Sequence, residues 1–157
     1  PMEKFKKIEL GQNLTEALGG FNDRGLAYAA HYNVGNPQLV LINHEIWSPQ
    51  DRLANNRLLR FHEDLGSDGA NVTWLSLKDM NCVTFERGVE AETLACGSGA
   101  LAAFIGLRSY KDESENQKIN SATFHFPGGP LKVTSDKDGF WLGGWVKQSF
   151  EGKTHEI

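Results

Sequence analysis

The sequence has little cysteine, two in 157 residues, which is too few for a disulfide framework and makes a reducing, cytoplasmic setting the expectation. It has no apolar run approaching the roughly 18 residues of a membrane-crossing helix, so no membrane partner is expected. It has no excess of positive charge: 16 Lys and Arg stand against 20 Asp and Glu, a formal net charge of −4. The basic residues are scattered, and the densest stretch, Glu3-Lys4-Phe5-Lys6-Lys7, is short and mixed in sign. Phosphate contacts need clustered Lys and Arg, so no nucleic-acid partner is expected. The first residues show neither the apolar core nor the small-residue cleavage site of a signal peptide. The histidines, His31, His44, His62, His125 and His155, lack ligand spacing such as His-x-x-x-His, and no metal site is predicted.

What is present is an ordinary globular composition, 39% hydrophobic and 23% charged, without repeats, low-complexity tracts or an internal linker. One domain covering residues 1–157 is expected. Residues 27–34 and 39–42 read as strands broken by Gly35-Asn36-Pro37-Gln38, a turn that holds Asn36 in a tight, exposed position. Residues 49–62 have the proline start and spacing of an amphipathic helix, with Leu53, Leu58 and Leu59 as core contacts. Strands follow at 71–78 and 80–86, with Lys78-Asp79 as their hairpin. Residues 98–109 are apolar nearly all round, the mark of a buried helix, and the polar run 111–118 is its exit loop. Strands at 121–126, 131–135 and 139–147 are separated by Pro127-Gly128-Gly129-Pro130 and Asp136-Lys137-Asp138-Gly139. The predicted fold is α+β: about seven strands in a curved, mostly antiparallel sheet wrapped around a central apolar helix.

The sharpest chemical signal runs from Thr84 to Ala100, Thr-Phe-Glu-Arg-Gly-Val-Glu-Ala-Glu-Thr-Leu-Ala-Cys-Gly-Ser-Gly-Ala. It places the Cys96 thiol at a helix start, where unpaired amides and the helix dipole favour a thiolate and bind a carboxylate. Gly97 and Gly99 admit a ligand close to the backbone. Read structurally, Cys96 is a small buried hydrophobe beside a Gly-rich turn, and Glu86 and Arg87 are an exposed ion pair. Cys82, inside a strand with no Gly-rich turn after it, reads as packing, and a Cys82–Cys96 disulfide is not expected in the cytoplasm. His125, in a Phe-His-Phe strand, is expected to face solvent between two core aromatics.

The segment resembles the C-terminal signature of the diaminopimelate epimerase family, Glu-Arg-Gly-x-Gly-Glu-Thr, two residues, then Cys-Gly-Thr-Gly-Ala. Val34-Gly35-Asn36-Pro37 resembles the family's Gly-Asn-Pro-His turn, Asn71-Val72 its Asn-Val strand start, and Phe126-Pro127-Gly128-Gly129-Pro130-Leu131 its Pro-Gly-Gly-x-Leu. Ile8-Glu9-Leu10-Gly11 resembles the strand that opens the family's second domain. The likeness spans nearly the whole chain and implies one half of a two-domain epimerase fold. It implies two-base proton transfer without pyridoxal, metal or other cofactor, one cysteine on each face of the α-carbon. Cys96 would be one of the two, with Glu86 assisting proton transfer and contacting substrate. Asn36, Asn71 and Arg87 would bind the distal group of a diaminopimelate-like substrate, and the amides of Gly97 and Ser98 its α-carboxylate.

Three departures accompany the likeness. Glu90-Ala91 stands for the single Gly of the signature, Gln38 stands where the family has histidine, and the half carrying the first cysteine is not in the 157 residues. The implied function is an amino-acid epimerase, interconverting LL- and meso-diaminopimelate in lysine and peptidoglycan precursor biosynthesis. Its first-cysteine domain would come from another chain or from a portion of the protein outside this sequence. A homodimer with two Cys96 thiols facing one cleft is a further arrangement. The alternatives are a non-catalytic binding or regulatory remnant, or a racemase for another amino acid.

Overall fold

The computed structural model describes residues 5–115 and 118–153. Residues 1–4, 116–117 and 154–157 lie outside the described residues, and with them Glu3, Lys4 and His155. The described elements, in chain order, are β1 (Lys6–Ile8), α1 (Gln12–Gly19), β2 (Leu26–Asn33), β3 (Pro37–Asn43), α2 (Pro49–Arg60), β4 (Asn71–Ser76), β5 (Cys82–Glu86), β6 (Ala91–Glu92), α3 (Gly97–Glu115), β7 (Ser121–Phe126), β8 (Gly129–Ser135) and β9 (Phe140–Gly144).

Strands β1 to β6 form a six-stranded sheet in sequence order, and β7 to β9 a three-stranded one. Pairing is antiparallel except between β3 and β4. A parallel pair cannot be closed by a hairpin, and the crossover between β3 and β4 contains α2. The two sheets touch where Asn81 bridges His125 and the His125 amide donates to the Met80 carbonyl at 2.9 Å.

The larger sheet is covered on both faces, so β3 and β4 are buried almost throughout. Alternate β3 residues serve opposite layers. Val40 and Ile42 pack with Ala102, Ala103, Phe104 and Leu107 of α3, and Phe124 and Val133 of the smaller sheet close the same core from the other side. Leu39 and Leu41 face a second core with Leu14 and Leu18 of α1, Trp47, Leu59, Val72, Trp74 and Phe85. Each buried side chain of this size contributes about 1.5–3 kcal/mol over remaining in water. The α+β class and the mostly antiparallel wrap around an apolar helix are as expected from the sequence, with the wrap divided into two sheets.

Several local expectations are corrected. Helix α3 runs on to Glu115, so most of the expected exit loop at 111–118 is helical. Among the described residues there are nine strands rather than about seven, β3 begins already at Pro37, and β9 stops at Gly144 rather than 147. Beyond β9, Trp145 and Val146 stand exposed. In α2 the core contacts are not Leu53 and Leu58, which are 64% and 72% exposed. Leu59 is buried as expected, and beside it Arg52, Asn56 and Arg60 are buried in place of the other two leucines. The reason is electrostatic. Arg52 donates to both Glu92 carboxylate oxygens at 2.8 Å and also bonds the Trp47 carbonyl. Asn56 joins Glu92 at 3.1 Å to the indole of Trp74 at 2.8 Å, and Arg60 pairs with Glu90 at 3.0 Å. Residues 52, 56 and 60 recur every four positions, so this polar stripe lies along one face of the helix.

Candidate functional site

Helix α3 begins against the ends of β3, β4 and β5, and this is where most of the expected site residues meet. Cys96 precedes the first helical residue, and its carbonyl accepts from the Ala100 amide at 2.9 Å. Its sulfur takes the place of an N-cap oxygen, accepting from the Gly99 amide at 3.3 Å. The amides of Gly97 and Ser98 find no acceptor among the described residues; that of Gly99, which a helix start by itself leaves unpaired, is engaged by the sulfur. The helix start can approach the sheet because residue 99 lacks a side chain. A Cβ there would lie 2.4 Å from Thr84 Oγ1 and 3.0 Å from Thr73 Oγ1.

The Asn36 turn is set by Gly35, at φ +108°, whose amide donates to Asn33 Oδ1 at 3.0 Å. It aims the Asn36 amide nitrogen at Ser98 Oγ, 3.3 Å away. Gln38, fully buried, donates to the same hydroxyl at 3.0 Å. Asn71 lies opposite Gln38 in the parallel register, and its side-chain oxygen accepts from the Arg87 amide at 2.7 Å. That bond fixes the backbone at the end of β5. Among the described residues the Arg87 side chain reaches no closer partner than Asp68, 3.9 Å away and largely exposed, which leaves its donors available to an anion. Glu86 accepts from the Thr93 hydroxyl.

The longer loop between Arg87 and Cys96 has its own fastening. Glu90, which with Ala91 stands for the single glycine of the family pattern, sits at φ +57°, a conformation that costs a non-glycine residue energy. Its carboxylate binds the Gly88 amide at 2.9 Å as well as Arg60, and its amide bonds the Glu86 carbonyl at 2.8 Å. The insertion is thus tied to α2, a connection that no spacing rule could have shown.

Beside the helix start lies a cavity of about 290 Å³ lined by Gly97, Ser98, Leu101, Phe140 and Leu142 among others. Leu142 reaches over Gly97, where a Cβ would come within 2.9 Å of its methyl. Cys82 is fully buried in β5, and burial first, then the neighbouring Cys96, push its thiol far above the ordinary range. Both cysteines are free thiols. His125 faces solvent between buried Phe124 and Phe126, as its strand pattern suggested. Among the described residues no group of three or more His, Cys, Asp or Glu could hold a metal ion, and no helix is long and apolar enough to cross a membrane. Thr73 and Thr84, which complete the floor under Cys96, carried no sequence signal beyond their place in apolar strands.

A free cysteine capping the start of a sheet-covered helix in an α+β fold is the class the geometry defines. A predicted epimerase from Pseudomonas aeruginosa has this fold, with a TM-score of 0.57 over 94% of this chain and 56% of that one at 16% identity. No protein-family model matches the chain. Its sequence is 31% identical over 127 residues to a diaminopimelate epimerase of Aquifex aeolicus, covering 79% of this chain and 45% of the relative. It is 50% identical over 91 residues to one of Chlamydia trachomatis, covering 56% and 32%. The chain is thus similar to diaminopimelate epimerases over most of its own length, and spans less than half the length of these curated relatives.

Proposed function

We propose that this chain supplies one catalytic cysteine, Cys96, to a cofactor-independent amino-acid epimerase acting on diaminopimelate. The observation that supports it most is the placement of Cys96 at a helix start beside the amides of Gly97 and Ser98, which have no acceptor among the described residues. A substrate α-carboxylate held by those amides would bring its α-carbon to the sulfur, and the amides would absorb charge as that carbon becomes carbanionic. Asn36, Asn71 and Arg87 would bind the distal group. Glu86 would assist proton transfer. Residues 1–157 would act as a single domain, with the first-cysteine domain supplied by another chain or by a portion of the protein beyond this sequence.

Two thiols are needed because inversion requires a base on one face of the α-carbon and an acid on the other. Cys96 provides one face. The second reading, a binding or regulatory remnant, is favoured by Gln38 and by the lengthened loop. Exchange of the α-proton in heavy water across a panel of amino acids, with and without a first-cysteine partner chain, separates the two. Under the epimerase reading, exchange is present, is abolished by Cys96→Ala, and becomes epimerisation when the partner is added. Absence of exchange under every condition, with amino-acid binding retained, would establish the remnant.

A further inference from the structure

Beneath Cys96 the polar side chains of β3, β4 and β5 form a connected chain that ends on the sulfur. The hydroxyls of Thr84 and Thr73 lie 3.0 Å apart, and Thr73 donates to Gln38 Oε1 at 3.1 Å. Gln38 Nε2 donates to Ser98 Oγ at 3.0 Å, and Ser98 Oγ lies 3.4 Å from Cys96 Sγ. Thr73, Thr84 and Gln38 are all fully buried, so these bonds do not compete with bulk water.

Counting donors gives the chain a direction. The one hydroxyl proton of Thr73 goes to Gln38, so between the two threonines Thr84 is the donor. Ser98 Oγ receives the amide nitrogens of both Gln38 and Asn36, at 3.0 and 3.3 Å. An amide nitrogen can only donate, and a hydroxyl has two acceptor sites. With both filled, the remaining Ser98 hydrogen is directed to the neighbouring sulfur, which already accepts from the Gly99 amide at 3.3 Å.

We propose that Gln38 is a positioning residue for Cys96. By donating to Ser98 Oγ it turns the Ser98 proton onto the sulfur, so that a thiolate there has two donors, one backbone and one hydroxyl. At the place where the related family carries a histidine, this chain would then orient its thiol through a neutral relay. The inference rests on the reading of Cys96 as a base, yet it concerns the thiol alone and is measurable without substrate. Of the groups around Cys96, Gln38, Thr73, Thr84 and Ser98 do not titrate. Cys82 of β5 is held protonated by burial, and Glu86, at the end of the same strand, is engaged by Thr93.

The test is the rate of Cys96 alkylation by iodoacetamide, followed by mass spectrometry on the purified chain from neutral to alkaline pH, with Cys82 as the internal measure of unfolding. Gln38→Glu converts the donor into an acceptor and reverses the Ser98 hydrogen bond, Gln38→Met removes the donor at similar volume, and Ser98→Ala removes the relay without touching the buried strands. Losing one charge-assisted bond lowers the thiolate fraction about tenfold, partly offset by a more nucleophilic sulfur, so each variant should react about threefold more slowly at neutral pH. In alkali, where the thiol is ionised throughout, the same variants should react faster than the parent. Simple loosening would instead raise the rate at every pH and expose Cys82 as well. Adding Gln38→Met to Ser98→Ala should cause no further loss, while Ser98→Thr should restore the parent profile. Neutral-pH rates equal to the parent in folded Gln38 variants, or losses that multiply in the double variant, would overturn the proposal. Either result leaves the epimerase reading to be judged by α-proton exchange.

Discussion

Gly99 shows how closely a single position can be held. It is the third residue of α3, and the Thr84 and Thr73 hydroxyls occupy the volume that any side chain would need. Gly99→Ala gains helix propensity but forces the helix start off the sheet, and the expected net loss is about 1–3 kcal/mol in urea unfolding. Thr84→Ala in the same background should recover part of it by removing the nearer contact. His31 sets a second residue-scale expectation. It is buried in β2 with neither ring nitrogen hydrogen-bonded among the described residues, and burial lowers its pKa below the ordinary 6.5. Because the unfolded chain takes up the proton first, stability associated with neutral His31 is fully present above about pH 6.5 and is lost as pH falls below it. The slope from this one group cannot exceed about 1.4 kcal/mol per pH unit. His31→Phe should flatten the acid side of a stability profile in that range; an unchanged profile would assign the acid loss to other groups.

Among the elements, α2 departs most from its sequence pattern. The leucines at 53, 58 and 59 suggest an apolar face, yet the buried stripe is Arg52, Asn56 and Arg60, with only Leu59 from the expected set. Helical periodicity identifies which residues share a face but cannot tell which face is covered when carboxylates from a distant loop are available. Glu90 and Glu92 supply them, and the bidentate Arg52–Glu92 pair is the best formed. Leu53→Gln and Leu58→Gln should therefore change stability by less than about 0.5 kcal/mol. Glu92→Ala should cost about 1–3 kcal/mol, because Arg52 keeps its charge in a buried place with its best partner gone. Comparable losses at Leu53 and Glu92 in denaturant melts would contradict the observed facing of α2. The apolar helix α3 was legible throughout its first three turns, since residues with no polar face leave no choice of orientation.

At the scale of the molecule, the chain offers one helix-start cysteine and one cysteine sealed within a strand. Cys82 cannot serve as the opposing base while its thiol is fully buried and shifted far upward. The purified chain, monomeric by sedimentation, is therefore expected not to epimerise diaminopimelate. If Cys96 acts as proposed, residues 1–157 alone should at most exchange, with retention, the α-proton of the stereoisomer that presents it to Cys96, slowly and with weak saturation while the cleft stays open to water. Turnover that rises with the square of chain concentration would point to a homodimer with two Cys96 thiols in one cleft. Full turnover by the monomer would demand a second base within these residues.

The sequence by itself determined the α+β class, the apolar helix, the Cys96 helix start and the Asn36 turn, because each depends on local rules: strand alternation, an all-apolar helix, glycine at bends, proline fixing its neighbour. It also carried the likeness that singles out Glu86, Arg87, Asn71, Gly97 and Ser98. The tertiary structure alone decided which face of α2 is buried, how the Glu90 insertion is fastened, the split of the wrap into two sheets, and the joining of Gln38, Thr73 and Thr84 under the thiol. Those four outcomes depend on pairing between residues remote in the chain. Three threonine and glutamine side chains on separate strands become one directed hydrogen-bond chain only when parallel register sets β3 beside β4 and antiparallel register sets β4 beside β5.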